Sequence, residues 1–107
     1  MADVFLKIYT EENQRHRGRL LYEWLLEQAH ALGIPGGSAF RAMAGYGRHG
    51  VMHEESFFEL AGDVPVEVGF VTSEEAAQRL LERIGEEGLS LFYAMLPARH
   101  GVTGRNG

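Results

Sequence analysis

No cysteine occurs anywhere in the 107 residues, which excludes disulfide frameworks, thiolate nucleophiles and metal–thiolate sites. That absence fits an unexported, cytoplasmic protein. Long apolar runs are missing too. None approaches the ~20 residues that span a bilayer, and the start MADVFLKIYT has no basic flank leading into an apolar stretch. Positive charge is scarce: 10 basic residues stand against 15 acidic ones, for a net charge of −5. Such a balance argues against nucleic-acid binding by bulk electrostatics.

What is present has the composition of a soluble globular domain, 45% apolar and 23% charged. The expectation is one domain over residues 1–107, with a core at about 4–96 and a loose glycine-rich tail at 97–107. A chain of this length buries roughly 65% of its unfolded surface, enough for a two-layer core. Nine of the ten basic residues are arginine, the side chain best suited to a bidentate grip on phosphate or carboxylate. They are unevenly placed. Arg15, Arg17 and Arg19 cluster early, Arg41 and Arg48 flank a glycine-rich stretch, and Arg99 and Arg105 stand near the end.

Periodicity divides the chain into elements. Val4–Thr10 is rich in β-branched and aromatic residues and reads as a strand, followed by a polar loop from Glu11 to Arg17. From Arg19 to Leu32 the spacing becomes helical, with Leu21, Leu25, Ala29 and Leu32 on one stripe and Tyr22, Trp24 and Leu26 widening it. Gly33 ends that helix, and Pro35-Gly36-Gly37 is a turn signal. Strands are expected at 38–46, 53–60 and 64–72, the last with Pro65 tolerable near its beginning. Ser73 with Glu74 and Glu75 is an N-cap followed by an acidic first turn. Ala76, Leu80, Leu81 and Ile84 form the stripe of a second helix, which frays into Gly85–Gly88 before a last strand at 89–96.

The order βαββαβ, with four main strands, specifies the ferredoxin-like α+β sandwich: a four-stranded antiparallel sheet with two helices on one face. The other face keeps apolar side chains, because Val66/Val68 and Phe57/Phe58 cannot all point one way. A bare apolar face wants a partner, and another copy of the chain is the expected one. RNA-recognition sheets also expose such a face, but their glycine-and-aromatic signature is not matched here.

Between the strands lies Ala44-Gly45-Tyr46-Gly47-Arg48-His49-Gly50. Glycines let backbone N–H groups approach an anion, and Arg48 supplies a charge-assisted pair of hydrogen bonds. A plain hairpin bend uses the same residues. This segment is similar to the Gly-aromatic-Gly-Arg segment that opens the T-loop of PII signalling proteins. Together with LKIY, GRLLYEWLLEQAHALGIPG, RAMAGYGRHG and EEGLSLFYAML, it more closely resembles a PII-like family called domain of unknown function 190.

The resemblance implies a homotrimer whose sheets face inward and whose intersubunit clefts bind an adenine nucleotide. Carried over by position, it implies phosphate contacts from Gly45, Gly47, Arg48 and His49, and a second element at Glu86-Glu87-Gly88-Leu89. PII proteins carry glycines and a lysine at that second element, whereas this chain has two glutamates, so AMP or ADP fits better than ATP. Arg99 and Arg105 resemble the basic C-terminal residues that reach phosphates. Arg41 either faces the cleft or projects from a strand edge. The T-loop tyrosine modified in some PII proteins has no counterpart, and this loop, 47–55, is much shorter. A regulated partner is implied, a membrane transporter or channel being one kind.

The alternative on the same fold is a metal-binding trimer of the CutA kind using His49, His53 and nearby glutamates. His16 and His30 read as surface residues, Trp24 and Tyr22 as packing. No nucleophile–base pair stands out, so enzymatic activity is not expected.

Overall fold

The computed structural model describes residues 2–45 and 64–104. The expected strand at 53–60, and with it Phe57 and Phe58, lies outside the described residues. Elements follow in the order β1 (Asp3–Glu11), β2 (Arg15–His16), β3 (Arg19–Leu20), α1 (Leu21–Ala31), β4 (Gly37–Arg41), β5 (Pro65–Ser73), α2 (Glu74–Glu86) and β6 (Tyr93–Ala98). Four strands form an antiparallel sheet in the order β4-β5-β1-β6, and β2 with β3 makes a separate two-stranded hairpin. This is the ferredoxin-like α+β arrangement.

Strand alternation sorts the core. In β1 the residues Val4, Leu6, Ile8 and Thr10 are buried, and in β5 so are Val66, Val68, Phe70 and Thr72. Helix α1 meets them with Leu21, Trp24, Leu25 and Ala29, and α2 with Ala76, Ala77, Leu80 and Ile84. These recur at spacings of three and four, as one helical face requires. Each fully buried leucine or isoleucine contributes about 1.5–3 kcal/mol by leaving water. Buried Thr10 is satisfied by donating to Gln14 Oε1 at 2.6 Å.

Both helices end the same way. Gly33 and Gly88 take positive φ, at 84° and 76°. Gly33 N–H donates to His30 O and Ile34 N–H to Ala29 O; Gly88 N–H donates to Gly85 O and Leu89 N–H to Ile84 O. This is a Schellman stop, which caps orphan carbonyls and folds the next apolar residue back onto the last turn. Helix α2 therefore stays helical through Glu86 instead of fraying at Gly85. At its other end Ser73 Oγ accepts from Ala76 N–H at 3.1 Å, as the N-cap reading required.

Other expectations shift by a few residues. The strand expected at 89–96 runs instead from Tyr93 to Ala98, because Leu89 and Leu91 turn in to pack on the core. Residues 97 and 98 thus belong to the sheet and not to a loose tail. Strand β4 ends at Arg41 instead of Tyr46. Its last rung is Ala42 N–H to Pro65 O at 2.9 Å, and Pro65 has no N–H to return. Helix α1 begins at Leu21 because Arg19 and Leu20 pair with His16 and Arg15. Arg17 and Gly18 link those pairs at φ 55° and 77°, the doubly positive φ of a type I′ hairpin turn.

That hairpin docks on the end of α2. Arg17 Nε donates to Glu87 Oε1 at 2.7 Å and His16 Nε2 to the same oxygen at 2.8 Å. The His16 ring stands edge-on to Trp24, with centroids 4.8 Å apart. His16 is therefore a half-buried docking residue and not a surface one. The Arg17 hydrogen bond, and after it that of His16, holds the Glu87 carboxyl below the ordinary carboxylate range.

Two outcomes are expected. A Cβ at Gly37 would fall onto the buried ring of Phe70, whereas one at Gly69 meets Phe5 Cε1 at 2.9 Å on the face without helices, where the ring can swing away. Gly37→Ala should therefore destabilise by about 1–3 kcal/mol and Gly69→Ala by less, compared by denaturant melts. Because folding lowers the Glu87 pKa, its contribution is complete above the unfolded carboxylate pKa and is lost as pH falls through the folded one. Fluorescence of Trp24, the single tryptophan, should report loosening of the His16 contact on acidification, and already at neutral pH in Glu87→Gln. An unchanged signal in that variant would show that the ion pair does not hold the hairpin.

Candidate functional site

The residues singled out from the sequence divide between two ends of the sheet. Strand β4 carries the chain towards Pro65, the start of β5, and Arg41 and then Gly45 follow at that end. Strand β5 runs away to Ser73 and α2 returns. Phe92 O accepts from Tyr9 N–H at 3.0 Å, so the turn after α2, with Gly88 and Leu89, stands at the same end as Gly45. Strand β6 then takes the chain back, pairing Ala98 with Asp3. Arg99 is thereby separated from Arg41 by the length of β1, about 27 Å. Within the chain the fold brings together Arg41, Gly45, Gly88 and Leu89 by end of sheet, and leaves Arg99 apart. Gly47, Arg48, His49, His53 and Arg105 lie outside the described residues.

Arg41 sits at the edge of β4 and is held by a carboxylate. Its Nε lies 2.9 Å from Glu12 Oε2, and its Nη2 donates to Glu12 Oε1 at 3.1 Å. At Gly88 and Leu89 the backbone N–H groups are engaged in the helix stop, and that of Glu87 donates to Arg83 O and Ile84 O. Whatever this turn offers an anion must come from side chains. The hydrogen-bond donors beside it belong to the hairpin, the Arg17 guanidinium and the His16 ring, neither of which the sequence reading placed at the site. The Arg17-Gly18 dipeptide was the available signal, since glycine in a two-residue link between short polar strands marks a hairpin. Beside the turn, an open groove of about 430 Å³ is lined by Leu81, Ile84, Leu89, Ser90, Leu91, Phe92 and Tyr93.

The face of the sheet away from the helices carries Phe5, Lys7, Tyr9, Phe40, Glu67, Val71 and Leu96, from strand alternation and register. Val66 and Val68 are not part of it, since both lie on the helix side. Phe40 is 61% exposed and Leu96 45%. Tyr9 stacks near Phe92, centroids 5.5 Å apart, and donates to Glu67 Oε1 at 3.0 Å. Desolvation first, and then the Glu67 bond, push the Tyr9 hydroxyl pKa up. Lys7 Nζ stands 5.0 Å from the Phe5 ring centroid, a cation–π contact. Among the described residues no helix is long and apolar enough to cross a membrane, and no three His, Asp or Glu side chains converge as a metal site would need.

Known proteins share this plan. A UPF0166 protein of Aquifex aeolicus (strain VF5) is 38% identical over 79 residues, 74% of this chain and 75% of that one. Another, from Methanocaldococcus jannaschii, is 33% identical over 81 residues, 76% of this chain and 74% of that one. Among solved structures, a PII-like signalling protein of Thermus thermophilus superposes with TM-score 0.60 at 22% identity, over 92% of this chain and 91% of that one. CPII of Thiomonas intermedia K12, a nitrogen regulatory PII-like protein bound to ADP, AMP and bicarbonate, does so with TM-score 0.61 at 20% identity, over 95% and 96%. Residues 3–90 match the family DUF190, described as "Uncharacterized ACR". The chain belongs to that family, and its fold is the one seen in PII-like signalling proteins.

Proposed function

We propose that this protein is a PII-like regulator. It forms a homotrimer, binds AMP or ADP in clefts between subunits, and acts on a partner through the 47–55 loop without turning the nucleotide over. The observation that carries this reading is the meeting of two elements at one end of the sheet. Strand β4 ends beside Pro65 and leads into the segment that begins at Gly45, and the Glu87–Gly88 turn stands at that same end. The likeness of fold to CPII, a protein bound to ADP and AMP, supports the choice of ligand.

Gly45, Gly47, Arg48 and His49 are the phosphate contacts in this proposal. Arg99, at the far end of its own sheet, reaches such a cleft only from a neighbouring subunit. The exposed apolar face with Phe40 and Leu96 gives the trimer its inward surface. The metal-binding alternative has no observation of its own, since His49 and His53 lie outside the described residues.

Calorimetry and thermal melts with AMP, ADP, ATP and cyclic AMP test the ligand. ADP or AMP should raise the melting temperature of the wild type, by the equivalent of about 2.7 kcal/mol at a hundredfold excess over Kd. Arg48→Ala should lose most of that response. Silence of the wild type towards all four nucleotides would remove the proposal. Light scattering tests the assembly: Leu96→Asp places a charge on the apolar face and should reduce the trimer to monomers. A mass that Leu96→Asp leaves unchanged would place the interface elsewhere.

A further inference from the structure

The turn after α2 is badly furnished for an anion. It is the C-terminal end of a helix, where the backbone dipole is negative, and it carries Glu86 and Glu87. The N–H groups of Glu87, Gly88 and Leu89 all have intrahelical acceptors. A phosphate approaching this turn would meet carboxylates and carbonyls. Yet one of those carboxylates is not free. Glu87 Oε1 takes hydrogen bonds from both Arg17 Nε and His16 Nε2. The two donors are delivered together by the β2–β3 hairpin, which is anchored in turn by the His16–Trp24 contact and by the Arg19–Glu27 ion pair.

From this geometry we infer that Arg17 is a positioning residue of the nucleotide site: its guanidinium cancels the charge of Glu87 and so makes the α2 turn acceptable to the phosphates of AMP or ADP. The inference rests on the nucleotide reading above and adds to it an element, the 15–20 hairpin, that lies outside the glycine-rich segment. Arg17 does from a distant part of the chain what a lysine within the turn would do directly. Its placement has a structural mark. Arg17 holds φ at 55°, a backbone conformation that non-glycine residues rarely adopt, and its side chain stays 69% exposed while its Nε remains on Glu87. Neutralisation of this kind is Coulombic, so its removal must hurt a ligand more as the ligand carries more charge, and must fade as salt screens it.

Arg17→Asn isolates the charge, because Asn-Gly is the preferred type I′ pair and the hairpin turn is kept or strengthened. Calorimetric titration of the full chain with ADP and with AMP compares wild type, Arg17→Asn, Glu87→Gln and the double variant. Arg17→Asn should weaken ADP binding by about tenfold, the effect of one close charge pair left unbalanced, and AMP binding by less. The gap should narrow at high salt. Removing the carboxylate as well should restore ADP affinity, so the double variant should bind like wild type. Glu87→Gln alone, which leaves Arg17 uncompensated, should bind ADP at least as tightly as the wild type. Wild-type affinity in Arg17→Asn would overturn the inference while leaving the nucleotide reading standing. A double variant as weak as Arg17→Asn would overturn it too, showing that Arg17 acts by direct contact or by docking the hairpin. Failure of the wild type to bind either nucleotide would remove both readings together.

Discussion

Strand β1 is hydrogen-bonded along both edges, to β5 from Asp3 to Glu11 and to β6 from Asp3 to Ile8. Its alternating side chains divide the molecule in two. Val4, Leu6 and Ile8 face the helices and are closed off by both of them, whereas Phe5, Lys7 and Tyr9 face away. A slip of one residue in either pairing would exchange those sets and bury a lysine under the helices, so the register is held by the cost of desolvating Lys7 as much as by the apolar gain. The order β4-β5-β1-β6 follows, and with it the end of the sheet at which each loop emerges.

The helices answer a second constraint, the need to cap carbonyls that no further turn will satisfy. The identical stops at Gly33 and Gly88 turn Ile34 and Leu89 back onto the helices they follow. At α2 this has an electrostatic consequence. Amides that might have faced a ligand are consumed by the cap, and the turn is left with its acidic side chains. A distant hairpin then supplies a compensating charge through Arg17 and a second hydrogen bond through His16. The acidic turn, a departure from the pattern of PII proteins when read along the chain, has its Glu87 carboxylate paired with Arg17 once the chain is folded.

Much of the architecture was legible from periodicity. The alternation in Val4–Thr10 and Val64–Thr72, the helical stripes of Leu21/Leu25/Ala29 and Ala76/Leu80/Ile84, and the Ser73 cap all name their elements locally, because burial on one face leaves a repeat that needs no knowledge of the partner. Boundaries were less legible where a contact from elsewhere decides them. Leu89 and Leu91 alternate like a strand but are drawn into the core, Arg41 ends β4 because Pro65 on the next strand lacks an N–H, and Arg19 looks helical until its pairing with His16 is known.

The candidate site shows the same division. Residue types and their spacing along the chain are enough for the glycine-rich segment after β4, for the family, and for the expectation of a two-faced sheet, since each rests on local pattern. They do not reveal which charges cancel. Arg17 and Glu87 are 70 residues apart, His16 and Glu87 71, and Arg41 and Glu12 29. Charge interaction depends on distance in space and not on separation in sequence, so these pairings, and the local potential a ligand would meet, exist only once the sheet and helices have brought the ends of the chain segments together.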